Sequence, residues 1–366
     1  MNIMKNNYHV IKKRKKKPIE KTYNFEKPKL NFNTNSKNSL LTLLSKVHNV
    51  NMKKEDDIFE TQHAKINLEE LNYNIEDIEI YTLSQDVKQV INVYQPIYKN
   101  NKNATGFGDF IRGCYFLLQH CESFNLKFNV VVNHPIQEFL KNDTLKQFQE
   151  NETPNFSNIE FYQQVKIDGF LDENNLNNFL NNTEKTNNNS TVFINTYIYP
   201  YKEVSQKHKQ IMRDILEPIP KIITHVDTVL NNLNLERHNF NVIHIRSGDK
   251  YLIENSIIDP NFIKKLVGVL SFLNVNEKYL LLTDSYKLKY VLMKLFPRLK
   301  MFFNEITHFG EGVELNSTKV ENTLIDFYVM ASSKKIYSFS VYDHGTGFSR
   351  WCAETYNIPY VGHILK

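Results

Sequence analysis

Apolar and polar positions divide this chain into a polar opening and a long remainder in which two periods alternate. Short β-branched or aliphatic runs predict strands at 87–97, 127–133 and 191–196, then at 241–246, 278–284, 299–303, 335–341 and 358–362. Between them, apolar residues at helical spacing predict helices at 110–121, 135–149, 207–216, 220–233, 260–273, 286–296, 319–332 and 347–356. Pro218 and Pro220 mark a break between two of these helices. Strands alternating with helices of this length predict an α/β fold with parallel, doubly wound sheets. The pattern separates a basic, partly disordered extension (1–85), a first Rossmann-like unit (86–225) and a second one (226–366). An Asn-dominated insert at 174–190 reads as a surface loop. Two Rossmann-like units in one chain leave a cleft between them, where ligands commonly bind.

Composition narrows the possibilities. The 366 residues are 41% hydrophobic and 13% aromatic, enough for two real cores. Net charge is +5, and much of the positive charge lies in KKRKKK at 12–17. The folded part is therefore near neutral, which argues against a nucleic-acid-coating surface and leaves room for a local anion pocket. The basic run reads as a charged, solvated tail. Cys114, Cys121 and Cys352 are odd in number and lack metal-ligand spacing, so neither a disulfide framework nor a structural zinc is expected. No apolar run approaches the ~18 residues of a membrane-spanning helix, and the basic N-terminus has no apolar core behind it. A soluble cytoplasmic protein is the plain expectation.

The chemistry concentrates where strands end. In NVIHIRSGDKYLIE (241–254) an apolar strand delivers His244, Arg246, Asp249, Lys250 and Glu254 into one loop. In parallel sheets ligands bind beyond the carboxyl ends of the strands. An imidazole, a guanidinium and carboxylates there point to an anionic ligand beside a general acid or base. Two further strand ends share that edge. LLLTDS ends at Asp284, and IYSFSVYDHGTGFSR brings Ser338, Ser340, Thr346 and Gly347 to the start of a helix. Small hydroxyls, glycines and free helix N–H groups make an anion cradle. Set opposite Arg246, it could hold a diphosphate, with the Asp326 carboxylate on the preceding helix for a base or ribose. In the first unit, NATGFGD (103–109) is a Gly-rich turn before a helix, with Gly106, Gly108, Asp109 and then Arg112. It lacks the GxGxxG and P-loop patterns.

At these residues the chain resembles a family. HIRSGDKYLIE is similar to the donor motif of the GT-B fucosyltransferases that make α1,6, α1,2 and protein O-linked fucose: His-x-Arg, then in the α1,6 branch an Asp-Lys pair and a Glu. TDS and SFS…GFSRWCAE match its second and third blocks in order, and GFGDFIRG matches the Gly-rich turn of its first Rossmann unit. The resemblance implies a GT-B architecture over about residues 90–366 and an inverting transfer from GDP-fucose to a glycan or glycoprotein. It implies that Arg246 contacts the β-phosphate, His244 the nucleotide, Asp326 the guanine and Ser340 a phosphate. Glu254 matches the catalytic base, supported by Asp249 and Lys250. Two departures stand out: Ser247 replaces a second arginine of the α1,6 branch, and Tyr342–His344 is an added segment. Metal-dependent sugar transferases commonly hold their ion with Asp-x-Asp, which does not occur here. No metal or other cofactor is expected beyond the donor substrate. The alternatives are a GT-B transferase for another nucleotide sugar and a non-catalytic nucleotide- or glycan-binding relative.

Overall fold

The structure, a computed structural model, describes residues 89–97, 103–123, 125–144, 161–162, 191–200, 202–248, 259–271, 273–310 and 315–365. These residues form two four-stranded parallel sheets with helices on their faces, the α/β, doubly wound class expected from the sequence. In chain order the elements of the first half are β1 (Gln89–Tyr94), α1 (Phe107–Ser123), β2 (Lys127–Val132), β3 (Phe161–Tyr162) and β4 (Thr191–Thr196). Two helices follow, α2 (Gln206–Ile215) and α3 (Pro220–Asn232). The second half holds β5 (Asn241–Arg246), α4 (Pro260–Leu270), β6 (Tyr279–Thr283), α5 (Tyr286–Leu295), α6 (Ser317–Ala331), β7 (Lys335–Ser340), α7 (Gly347–Tyr356) and β8 (Tyr360–Ile364).

The sheet orders are β2-β1-β4-β3 and β6-β5-β7-β8. Each chain path leaves its first strand one way and returns on the other side. The strand order therefore reverses between β1 and β4, and between β5 and β7, and such switch points open a crevice at the carboxyl ends.

Strand β5 shows how residue order builds this edge. Val242 packs into the large core shared by both halves, whereas Ile243 and Ile245 pack into a second core under α4 and α5. Period-two alternation then puts His244 and Arg246 on the Val242 face, toward α7. Cross-strand register sets His244 beside Ser338 and Arg246 beside Ser340, so the polar residues of β7 fall on the same face. Local signals fix the helices around them. Asp259, Ser285 and Asn316 cap α4, α5 and α6 with their side chains. Asn357 ends α7 in the left-handed conformation at φ 56°.

Several expected elements differ. Where the helix expected at 135–149 begins, the chain forms a 3-10 turn, Pro135–Phe139, and residues 145–149 lie outside the described residues. Leu140 leaves it to bridge Pro218, because docking this stretch against the α2–α3 connection outweighs continuing the helix. The strand expected at 299–303 is reduced to one bridge, Leu280 to Lys300, with the segment running on irregularly through 309. The first strand stops at Tyr94 and leaves Ile97 exposed. The short strand β3 carries no alternation that would have announced it. Residues 1–85 and the 174–190 insert lie outside the described residues.

Both halves share one apolar core, in which α1, α6 and α7 meet. Tyr115 of α1 donates to Thr355 Oγ1 of α7 at 2.8 Å and its ring lies 5.8 Å from Trp351. At the helix starts, Gly108 of α1 lies backbone to backbone against Gly347 of α7. A Cβ on Gly108 would collide with the Gly347 carbonyl, so the absence of a side chain is what lets the halves close here.

Candidate functional site

A cleft of about 250 Å³ opens where the first helix of each half begins. It is lined from the second half by His244, Arg246, Asp284, Asp326, Thr346 and Gly347, and from the first by Gly106, Gly108 and Asp109. Nine residues expected at a site from the sequence therefore meet in one place.

Arg246 is fixed rather than free-swinging. Its Nη1 donates to Asp284 Oδ2 at 2.5 Å, and both side chains are largely buried. Asp284 also accepts from the Ser247 amide at 2.8 Å, from the Ser247 hydroxyl and from the Gly248 amide at 3.2 Å. One carboxylate at the end of β6 thus moulds the first turn after β5 and aims the guanidinium. The Tyr342 ring lies 5.6 Å from the guanidinium carbon, within cation–π range.

Facing Arg246 is the N-terminus of α7. Thr346 occupies its cap position but makes no capping side-chain hydrogen bond, and the Asp109 carboxylate lies close to Gly347, the first residue of the helix. The positive end of α7 and the guanidinium both line this corner of the cleft, and each favours negative charge. The α1 N-terminus meets it from the other half. There Asp109, in the first turn, pairs with Arg112 at 3.1 Å. Arg112 donates to the Tyr197 carbonyl at 2.5 Å and stacks 4.1 Å over Tyr199, which makes it a buried brace behind the cleft.

His244 is buried, and desolvation pushes its pKa down to about 4, so the ring is neutral at ordinary pH. Its Nδ1 lies 3.0 Å from Ser349 Oγ and its ring lies 5.9 Å from Phe348.

Asp326 forms another wall. Its Oδ1 accepts from Asn304 Nδ2 at 3.0 Å, and Lys289 Nζ lies 3.4 Å from Asn304 Oδ1. Burial raises the Asp326 pKa, while Lys289 and Asn304 pull it back. Burial lowers the Lys289 pKa, and Asp326 opposes that change. The aspartate, asparagine and lysine form one buried unit that delivers a carboxylate edge to the cleft.

Ser338 and Ser340 stand behind the wall rather than in it. Ser338 contacts Ser349. Ser340 donates to the Gly345 carbonyl at 3.1 Å and accepts from the Tyr342 amide at 3.0 Å, closing the 340–345 loop on itself. Gly345 carries φ 73° in that loop. Asp249, Lys250 and Glu254 lie outside the described residues. Sequence reasoning missed the wall made by Ile306, Thr307 and His308, and the Tyr342–His344 pair that stacks with ring centroids 5.4 Å apart. The first stretch has no periodicity to flag it. The second was visible as an insertion without an assigned task. No group of three or more His, Cys, Asp or Glu suited to a metal occurs among the described residues.

No protein-family model matches the chain, and no curated protein matches it. Among solved structures it is similar to fucosyltransferase NodZ from Bradyrhizobium, at 14% identity and a TM-score of 0.45, over 73% of this chain and 91% of that one. The NodZ α-1,6-fucosyltransferase co-crystallised with GDP matches at 15% identity and a TM-score of 0.44, with the same two coverages. POFUT1 in complex with GDP matches at 9% identity and a TM-score of 0.39, over 76% of this chain and 99% of that one.

Proposed function

We propose that this chain is an inverting, metal-independent glycosyltransferase that moves fucose from GDP-fucose to a hydroxyl of a glycan or glycoprotein. The observation that carries the reading is the anion corner. A guanidinium held by Asp284 faces an uncapped helix N-terminus, at the switch point of a parallel sheet. Arg246 and the α7 amides hold the diphosphate and stabilise it as the leaving group. The Asp326 carboxylate accepts hydrogen bonds only, which favours a base edge rich in N–H donors such as that of guanine. The HIRSGDKYLIE motif supplies the sugar and the base: Glu254 takes the acceptor proton, with Asp249 and Lys250 supporting it. The acceptor enters from the 86–225 half, and the donor sits on the 226–366 half. Cytoplasmic residence fits three buried cysteines, all of them free. No helix among the described residues is long and apolar enough to cross a membrane.

Two measurements test the proposal. GDP should raise the melting temperature, whereas UDP and CMP should not. Equal shifts with all three would remove the guanine assignment. Hydrolysis of GDP-fucose, GDP-mannose and UDP-sugars then identifies the donor. Preference for a sugar other than fucose would favour the alternative transferase, as Ser247 in place of the arginine permits. No hydrolysis of any donor, with GDP still bound, would favour the non-catalytic relative. Glu254→Gln should keep GDP affinity and lower transfer by roughly 10²–10⁴-fold. Unchanged turnover would remove Glu254 as the base.

A further inference from the structure

One lysine is buried among the described residues, Lys289 in the first turn of α5, at 2% exposed. The other buried side chains of that helix are Leu288 and Leu292, so its ammonium enters an apolar setting. It donates to Asn304 Oδ1 at 3.4 Å and lies 5.3 and 5.9 Å from the ring centroids of Phe302 and Phe303. Asn304 Nδ2 in turn donates to Asp326 Oδ1 at 3.0 Å and to the Asn322 carbonyl at 3.2 Å. Asp326 lines the cleft, and Lys289 acts on it from behind, across the amide.

Donors and acceptors run through these residues in one sense. An ammonium only donates, so it takes the amide oxygen of Asn304. Both hydrogens of Nδ2 are then used, by the Asn322 carbonyl and by the carboxylate. Oδ1 of Asp326 is an acceptor in this arrangement, so a proton on that carboxyl would sit on Oδ2. Burial favours such a proton, and the Lys289 charge opposes it. The choice matters for a base. A carboxylate offers two acceptors and takes two adjacent N–H groups, the edge that guanine presents at N1 and N2. A carboxylic acid offers one donor and one acceptor, which matches adenine at N1 and N6.

We propose that Lys289 is a positioning residue for base selectivity: acting through Asn304, it holds Asp326 as a double acceptor at the cleft and so favours guanine over adenine nucleotides without touching either. The base part rests on the nucleotide reading above. The charge part does not.

Lys289→Met removes the charge and leaves an apolar side chain of similar length. Infrared spectra of the full chain should then show the carbonyl band of a protonated carboxyl, absent from the wild type and absent when Asp326→Asn is added. The preference for GDP over ADP, read by titration, should fall about tenfold or more, the size of one hydrogen bond to a charged group. No new band in a folded Lys289→Met would overturn the proposal, and so would an unchanged GDP preference with the band present. Should Lys289→Met fail to fold, the wild type decides. A protonated-carboxyl band there that disappears in Asp326→Asn overturns the proposal, and its absence supports it. A wild type that binds neither nucleotide would remove the nucleotide reading, and the band would still decide the charge.

Discussion

Asp284 does more in this site than its place at a strand end announces. Its carboxylate accepts from Arg246, from the Ser247 amide and hydroxyl, and from the Gly248 amide. It is therefore the residue that shapes the turn and holds the Arg246 guanidinium at the cleft wall. Ser247, which replaces an arginine of the resembled motif, is bound into the same turn by its hydroxyl. Asp284→Asn is isosteric but loses the charge and places an amide against donors. Breaking a buried pair from one side costs about 3–5 kcal/mol. Urea denaturation should show a loss of that order together with a weakened GDP-induced stabilisation. A variant as stable as the wild type, with full GDP affinity, would contradict this role.

At the scale of elements, the cleft exists because two helices begin at the same point. Gly108 and Gly347 let α1 and α7 approach until backbone meets backbone, while Tyr115 and Thr355 tie the helices further along. A methyl at 108 must push apart two elements that are anchored in one core. Overpacking of this kind costs about 1–3 kcal/mol. Gly108→Ala should lower the melting temperature and reduce GDP affinity together, because the α7 N-terminus moves with the wedge. Calorimetry alongside GDP titration checks both, and a variant that melts like the wild type would show the contact to be slack. The sequence marks GFGD only as a Gly-rich turn before a helix, and in the structure that turn lines the cleft. Its closest neighbour, the other half of the molecule, was not readable, since nothing in GFGD specifies GTGF as its partner.

At the scale of the molecule, each half buries a neutral histidine. His134 in the first half has its ring tilted against Tyr94 at 4.8 Å, and desolvation lowers its pKa to about 4, as it does for His244. Unfolded histidine takes up its proton near 6.5, while these two wait until about 4. Stability is thus fully present above pH 6.5 and is lost as pH falls toward about 4, with each histidine contributing a slope of about 1.4 kcal/mol per pH unit in that window. His134→Asn keeps a side-chain acceptor for the Ile136 amide, which His134 Nδ1 serves at 3.2 Å. It should flatten the decline, read as unfolding midpoints from pH 7 to 4.5. A wild type with a level profile would refute the burial argument.

How much was legible follows from the range of each signal. Period-two alternation and proline breaks are local, so NVIHIR could be read as a strand that ends in His244 and Arg246, and Pro218 and Pro220 as a break between helices. The switch-point argument then brought three strand ends to one edge without coordinates. The 3-10 turn at Pro135–Phe139 and the irregular 302–309 segment could not be read, because docking against distant residues decides both. The sequence alone determined the layered α/β class and which residue types stand at the strand ends, since those depend on neighbours a few positions away. Only the tertiary structure decided which of them share the cleft. Asp284 turned toward Arg246, Ser340 toward its own loop, and Ser338 and Ser349 toward the back of His244, because each hydrogen bond is settled by whichever buried partner the packed sheet brings within 3 Å or so.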